Sequence, residues 1–325
     1  MKQLTGLMGG CLSGLHRTLK TEKLSVTYRL EREIRKRTGE CSTSTTENRT
    51  TAVNALRRFI SEKYQNTLIT AGGISADHMR AFVDWMKGKG YKPRYIRCQV
   101  ANLRSVLNLV NGRGTKICRG LQYGKPNHVM TALSRETVQE LASLQLTDER
   151  LIRTRCFFFF CTLAQGMAPI DAAHLKKSDI VNGFIIYCRH KTNMPVTVEI
   201  MPALRMLLDQ MPPGKGEYLL PILDDNGDTE RQYKNFLPRY NRQLGKLSGL
   251  VGEDIRLTSY VARHTWASIA DAIGGEIESI SKCLGHASTK VTAAYIDNIT
   301  NRGAVQLNRD VAGHLFPDSV GLKTA

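Results

Sequence analysis

A chain of 325 residues is too long for one small hydrophobic core and suits two domains, each large enough to fold by itself. Its formal charge of +17 and pI near 9.7 point to a polyanionic partner, either nucleic acid or an anionic membrane surface. The longest apolar run, CFFFFCTLA at 156–164, is far too short to span a bilayer, and no basic amphipathic helix carries a face rich in Trp, Phe and Leu. Nucleic acid is therefore favoured, and no membrane partner is expected.

The positive charge is concentrated in the first part of the chain. Residues 1–130 hold 24 Lys and Arg against 8 Asp and Glu, whereas residues 131–325 hold 22 against 21. The first part is therefore the predicted electrostatic contact with nucleic acid.

The eight cysteines show no CxxC pair and no histidine spacing typical of a zinc site, and a chain of this size needs no disulfides to fold. They are predicted to be reduced, as in a cytoplasmic protein, with no metal. The first ten residues hold one lysine but no apolar core of seven residues after it, so no secretory signal is expected.

Residues 1–45 are polar and charged, and we interpret them as a basic N-terminal extension. From 46 to 112 the apolar residues recur at helical spacing, which predicts a small helical bundle. The apolar faces of its three helices hold Val53, Leu56, Phe59, Ile60 and Tyr64; Met79, Phe82, Val83 and Met86, after a Ser75 cap; and Ile96, Val100, Leu103, Leu107 and Val110.

Three arginines of the third helix, Arg94, Arg97 and Arg104, are spaced to project from one side, away from the apolar stripe. Such a face is often only a solvated surface. Few carboxylates are near enough to neutralise it, so we predict a surface that follows DNA phosphates. Further cations of this surface are Lys87, Lys89, Lys92 and Arg113.

Glycines and basic residues between 113 and 130 predict a basic linker to a second domain, 131–325. There Ser134 is expected to cap a helix, and RCFFFFCTLAQGM to form a buried helix. GFIIYCRHKTNMPVTVEI, at 183–200, predicts a β-hairpin with its turn near Asn193, and the segments that follow are helical. The predicted fold class is mainly α with a small antiparallel β-hairpin or sheet.

One later helix, within LTSYVARHTWASIADAIGG, carries a constellation of functional groups. Thr258 or Ser259 is expected to cap it, which makes Tyr260 and Arg263, three residues apart, neighbours on one face. An arginine held among apolar side chains is costly to bury without an anion, and that anion could be one of the protein's own carboxylates.

The order of motifs resolves this ambiguity. A lysine on the hairpin, Y-x-x-R-H, LGHAS and then Tyr295, nine residues after His286, resemble the tyrosine recombinase or phage integrase family. That family's pattern runs Arg, Lys, H-x-x-R, His or Trp, and Tyr, and the resemblance extends over nearly the whole chain. It implies a helical DNA-clasping domain before a catalytic domain, and a site-specific recombinase acting on double-stranded DNA.

The resemblance assigns Tyr295 as the nucleophile, Arg263 as the second family arginine, His286 as the later histidine and Lys191 as the hairpin lysine. A tyrosine attacking a phosphodiester forms a 3′-phosphotyrosine that conserves the bond energy, so no ATP, metal or other cofactor is expected. Arg263 and an N–H of His286 match the charge of the pentacoordinate phosphorus, and Lys191 can protonate the departing 5′ oxygen.

Two positions depart from the family pattern. Tyr260 replaces the histidine of H-x-x-R, as in a mobile-element branch of the family; its phenol can support a phosphate but cannot titrate near neutral pH. The first arginine, expected just before Asp171, is missing from LAQGMAPIDAAHL. Strand alternation places Arg189 on the same face as Lys191 and makes it the candidate substitute, although it could equally pair with a surface carboxylate.

The resemblance further implies a homotetramer on two recombination sites, and accessory DNA-bending proteins are possible partners. A predicted amphipathic helix at 302–318 would be a tail that docks on a neighbouring protomer or caps its own core. Two alternatives remain: a non-catalytic DNA-binding protein of the same fold, favoured by the missing arginine, and a topoisomerase of related chemistry. The expected location is the bacterial cytoplasm, associated with the nucleoid.

Overall fold

A computed structural model describes residues 25–65, 69–70, 72–124, 131–252 and 255–299, without the side chains of 294, 295 and 297–299. The chain divides into two compact units between His128 and Val129. The predicted tail at 302–318 and the first 24 residues lie outside the described part.

The described part of the first unit is helical. Its helices are α1 (Val26–Lys36), α2 (Thr43–Tyr64), α3 (Ala76–Gly88), α4 (Pro93–Asn111) and the short α5 (Gly114–Ile117). Phe59 and Phe82 meet edge to face at the centre of a core built from the predicted apolar faces of α2, α3 and α4. Ser75 caps α3 as expected, with its hydroxyl accepting from the backbone of His78.

Two segments differ from the sequence-based boundaries. Within the predicted N-terminal extension, α1 buries Val26, Leu30 and Ile34, at helical spacing, in the core of the first unit. Within the predicted linker, α5 and the residues after it bury Ile117 and Leu121 in the same core. Both segments therefore belong to the helical unit, because their buried apolar residues pack into its core.

The second unit is mainly helical with one small sheet. Its described elements are α6 (Arg135–Ser143), α7 (Glu149–Leu163), α8 (Pro169–His174), a 3-10 turn (Lys177–Asp179), β1 (Ile180–Val181), β2 (Phe184–Cys188), β3 (Pro195–Glu199), α9 (Pro202–Gln210), α10 (Thr229–Val251), α11 (Val261–Ala272), α12 (Ile277–Cys283) and α13 (Thr289–Ile299). The phenylalanine-rich segment forms the buried α7, as predicted, and the core lies between α7, α10, α11 and the sheet.

The strands form an antiparallel sheet in the order β1, β2, β3, with Ile185 opposite Val198 on its buried face. The predicted hairpin joins β2 to β3. Its turn is closed by bonds from the N–H of Asn193 to the carbonyl of Arg189 (2.8 Å) and from the N–H of Arg189 to the carbonyl of Met194 (2.9 Å). Asn193 adopts the left-handed conformation that such a turn requires (φ 53°).

Within the described residues, the helices all fall short of the length and apolar character needed to cross a membrane.

Candidate active site

Arg263 is the buried centre of the site. It lies on α11 with only 3% of its surface exposed, and its guanidinium donates to the carbonyls of Gly166 (Nη1, 2.9 Å) and Leu284 (Nη2, 2.6 Å). The guanidinium of Arg263 therefore connects the turn after α7 to the turn after α12. The anion expected from the sequence is replaced at these two contacts by backbone carbonyl groups, whose dipoles stabilise a buried cation.

The beginning of α11 differs from the expectation. Tyr260 occupies the N-cap position itself, and neither Thr258 nor Ser259 caps the helix through its side chain. Tyr260 is half exposed (49%), whereas Arg263 is buried. The backbone of Tyr260 is already helical (φ −90°, ψ −15°), and its ring centroid lies 6.2 Å from that of His264, one turn along α11.

Two glycines allow the backbone to approach the arginines closely. At Gly166 (φ +64°) an added Cβ would lie 3.1 Å from the Cα of Arg263, and at Gly285 (φ +59°) it would lie 2.9 Å from Val196 and 3.1 Å from the Cδ of Arg189. Both positions combine a left-handed backbone with a crowded environment, so only glycine fits without displacement.

His286 follows Gly285 and lies between two partners. Its Nε2 is 3.1 Å from Nη2 of Arg263, and its Nδ1 is 2.8 Å from the hydroxyl of Thr292 on α13. Burial lowers the pKa of His286 to about 4, and the positive charges of Arg263, Arg189 and Lys191 act in the same direction. The imidazole is therefore neutral at physiological pH.

Arg189 is also buried, against one carboxylate. Its Nε lies 3.8 Å from Oδ2 of Asp171, and its Nη1 donates to the carbonyl of Gly285 (3.1 Å). Among the described residues the Nε has no hydrogen-bond partner. Burial raises the pKa of Asp171, opposed by the N–H of His190, which donates to Oδ1 (2.8 Å), and by Arg189 and Arg263. The surface carboxylate considered from the sequence is instead a buried one.

Lys191 lies on the exposed turn of the hairpin. Strand alternation does not support the expectation that it shares a face with Arg189, because β2 ends at Cys188 and the alternation does not continue through the turn. The turn is held from both sides of Lys191, since Arg189 and the hydroxyl of Thr192 both donate to the carbonyl of Gly285 (3.1 and 3.0 Å). The hairpin is thereby fixed next to His286.

Tyr295 lies on α13, three residues after Thr292, and its side chain is outside the described part. The helix is anchored on both sides of this position. Thr292 is fully buried, and Ile296 packs into a small cluster with Ala267 and Leu284. The structure thus brings Arg263, His286 and Arg189 together and places Lys191 and the backbone of Tyr295 on adjoining segments. In the described part, no cluster of three His, Cys, Asp or Glu residues is arranged to hold a metal.

The predicted basic surface of the first unit is exposed along α4. Arg94, Arg97 and Arg104 are all exposed, opposite the buried Ile96 and Leu103. Arg97 also lies over the ring of Tyr123 (5.7 Å). Two other predicted cations form ion pairs, Lys87 with Asp84 (3.2 Å) and Lys89 with Glu62 (2.9 Å). Arg113 donates a hydrogen bond to the carbonyl of Gly72 (3.4 Å).

A second basic stripe was missed by the sequence analysis. On α10, Arg231, Arg239, Arg242 and Lys246 are exposed and fall within one sector of the helix, opposite the buried Tyr240, Leu244 and Leu247. None of these four is in an ion pair among the described residues. The near-zero net charge of residues 131–325 concealed the stripe, but the helical spacing of its cations could have revealed it.

Solved structures share this fold over most of the chain. A Tn1549 transposon integrase in complex with circular intermediate DNA aligns over 89% of this chain and 100% of its own, at 16% identity and a TM-score of 0.66. A lambda integrase tetramer bound to a Holliday junction aligns over 83% of this chain and 77% of its own, at 17% identity and a TM-score of 0.63. No curated protein sequence matches the chain.

The sequence profile of the phage integrase family matches residues 132–302, more than half of the chain. The chain therefore belongs to the phage integrase family. The predictions of a site-specific DNA recombinase of the tyrosine type and of a mainly α fold with a small antiparallel sheet are confirmed, and the non-catalytic alternative is not favoured.

Proposed function

We propose that Tyr295 cuts one DNA strand by attacking a phosphodiester held by Arg263 and His286. The observation that carries this assignment is the contact between the buried Arg263 and His286 (3.1 Å), on a turn that leads directly into the helix of Tyr295. A guanidinium in a site of low dielectric is a strong ligand for the extra negative charge of pentacoordinate phosphorus. Its two bonds to backbone carbonyls hold it in place before DNA arrives.

The chemistry follows from these positions. The phenolic oxygen of Tyr295 forms a bond to phosphorus, the bond from phosphorus to the 5′ oxygen breaks, and Lys191 supplies the proton to that oxygen. The product is a 3′-phosphotyrosine and a free 5′ hydroxyl. Rejoining is the reverse reaction with the 5′ hydroxyl of another strand, which conserves the phosphodiester energy without ATP.

Arg189 supplies the positive charge of the missing first arginine. Like Arg263, it is a buried guanidinium beside the Leu-Gly-His turn, and its charge lowers the pKa of His286. Its Nε is a buried donor without a hydrogen-bond partner among the described residues. The long contact to Asp171 (3.8 Å) orients the side chain without using the Nε in a hydrogen bond. Tyr260, exposed at the start of α11, adds a phenolic donor for a phosphate oxygen.

Replacing Arg189 with alanine is expected to lower the rate of covalent adduct formation about 10²-fold, the usual effect of losing one donor to a developing oxyanion. Arg189→Lys keeps the charge near Asp171 and should lose less. A second substrate carries a neutral methylphosphonate in place of the phosphate that is cut. Because this group has no negative charge for Arg189 to neutralise, Arg189→Ala should be almost as active as wild type on it. An equal deficit on both substrates would assign Arg189 a structural role only.

The exposed arginines of α4 and the basic stripe of α10 are the proposed contacts with DNA phosphates. The predicted surface also includes Lys87, Lys92 and Arg113. Phosphate contacts position a protein on the duplex without reading its sequence. We therefore assign these cations to affinity and register, and the choice of site to other contacts.

Alanine at Arg94, Arg97 and Arg104 together is expected to weaken DNA binding and to make it less sensitive to salt. Each phosphate that is no longer neutralised should reduce the slope of log K against log salt by about 0.9. Matched controls are Arg80→Ala and Arg153→Ala, whose exposed charges are already paired with carboxylates. The measurement is a salt titration of binding to a labelled duplex. A slope that changes equally in the controls would contradict the assignment.

The proposed assembly is a homotetramer on two recombination sites, with sequential strand exchange through a four-way junction. The lambda integrase tetramer on a Holliday junction, which shares the fold, supports this arrangement. Accessory DNA-bending proteins are possible partners. The proposed location is the bacterial cytoplasm, on the nucleoid, where the DNA substrate is found.

A further inference from the structure

The hydrogen bonds of His286 define its tautomer in the DNA-free protein. A guanidinium can only donate, so Nε2 of His286 must accept from Nη2 of Arg263 at 3.1 Å. Nδ1 therefore carries the hydrogen of the neutral ring, and it donates to the hydroxyl oxygen of Thr292 at 2.8 Å. Burial and three neighbouring cations lower the pKa of His286 to about 4, which disfavours the doubly protonated ring.

This tautomer is the wrong one for binding a phosphate. The proposed function requires His286 to donate an N–H to a non-bridging oxygen, and phosphate oxygens only accept at neutral pH. In the DNA-free state the Nε2 atom beside Arg263 carries a lone pair and no hydrogen, so it cannot donate. His286 must therefore either gain a second proton, against burial and positive charge, or move its single hydrogen from Nδ1 to Nε2.

The second route leaves a new acceptor at Nδ1, which must then find a donor. Thr292 is fully buried, so no solvent is expected at its hydroxyl. Leaving Nδ1 as an unsatisfied buried acceptor would cost a free energy similar to the one that the hydrogen bond from Nε2 to the phosphate contributes. A hydroxyl can rotate from accepting to donating without moving its oxygen.

We propose that Thr292 is a positioning residue that lets His286 exchange tautomers when the scissile phosphate binds. In the free protein the Thr292 hydroxyl accepts from Nδ1–H. In the complex it donates to Nδ1 and Nε2–H donates to the phosphate. The exchange is balanced when the site opens locally as DNA binds, because Nδ1 then releases one proton to water and Nε2 takes one from water, so the ring stays neutral. The inference rests on the proposed role of His286 as a phosphate ligand.

The first test is the pH dependence of adduct formation by Thr292→Val and Thr292→Ser. Valine has the shape of threonine but no hydroxyl, whereas serine keeps the hydroxyl. Without the hydroxyl, the neutral ring can donate from Nε2 only by leaving Nδ1 as an unsatisfied buried acceptor, so donation to phosphate by the cation is favoured. The rate of Thr292→Val relative to wild type should therefore fall about tenfold for each pH unit above the pKa of His286 in the complex. Thr292→Ser should follow wild type. A constant ratio for Thr292→Val, or an equal loss in both variants, would overturn the proposal.

The second test does not depend on cleavage. In Tyr295→Phe protein labelled with ¹⁵N-histidine, NMR should show His286 as the Nδ1–H tautomer alone and as the Nε2–H tautomer with a duplex from the DNA flanking its gene. The duplex is first shown to be retained in a gel-shift assay. A ring that keeps its tautomer, or becomes cationic, on binding would refute the exchange. Failure of the proposed nucleophile is distinguishable, since it appears as an adduct that persists in Tyr295→Phe while the NMR result stands.

Discussion

Arg263→Ala is expected to reduce the rate of covalent adduct formation by about 10³-fold. The guanidinium is the buried cation beside His286, and the loss of one donor to a developing oxyanion already costs about 10²–10³-fold in other enzymes. Because Arg263 also satisfies the carbonyls of Gly166 and Leu284, the variant should be less stable, by about 1–3 kcal/mol for each carbonyl left without a partner.

The two effects are separated by measuring adduct formation on a nicked duplex, below the melting temperature of each variant and at equal DNA occupancy. Arg263→Lys is the matched variant, because it keeps the charge but not the planar fork that reaches both carbonyls. It should remain strongly impaired. If folded Arg263→Ala cleaved within tenfold of the wild-type rate, the phosphate would have to be held elsewhere.

Tyr295→Phe is expected to bind DNA with wild-type affinity and to lose adduct formation by about 10⁴-fold or more, because the ring remains and the nucleophilic oxygen is removed. The matched control is Tyr260→Phe, which removes a phenol from the N-cap of α11 in the same unit. It should still form an adduct, with a loss of about tenfold or less, as expected for one supporting hydrogen bond. Equal loss in both variants would contradict the assignment of roles.

The helices that the sequence predicted best are those with regular apolar spacing. The faces of α2, α3 and α4, the buried α7 and the hairpin turn at Asn193 all follow from periodicity and turn preferences. The short helix α5 and the packing of α1 into the core were missed, because each segment carries only a few apolar residues in a strongly basic stretch. In these segments the high content of Lys and Arg suggested an exposed extension or linker, and only the helical spacing of the apolar residues indicated that they are buried.

The candidate site residues were predictable in type, but the contacts that support them were not. Nothing in the sequence indicates that Arg263 bonds to the carbonyls of Gly166 and Leu284, because every residue has a carbonyl and only the fold selects one. Arg189 and Asp171 are far apart in the sequence and meet through tertiary packing. The buried position of Arg189 depends on where β2 ends, which alternation cannot predict.

The most direct measurement is to identify the residue that carries the DNA. Wild-type protein is incubated with nicked duplexes from the DNA flanking its gene, the adduct is denatured and digested, and the nucleotide-bearing peptide is sequenced by mass spectrometry. The account predicts a phosphodiester linkage between Tyr295 and a 3′ end. Attachment to any other residue, or to a 5′ end, would contradict it.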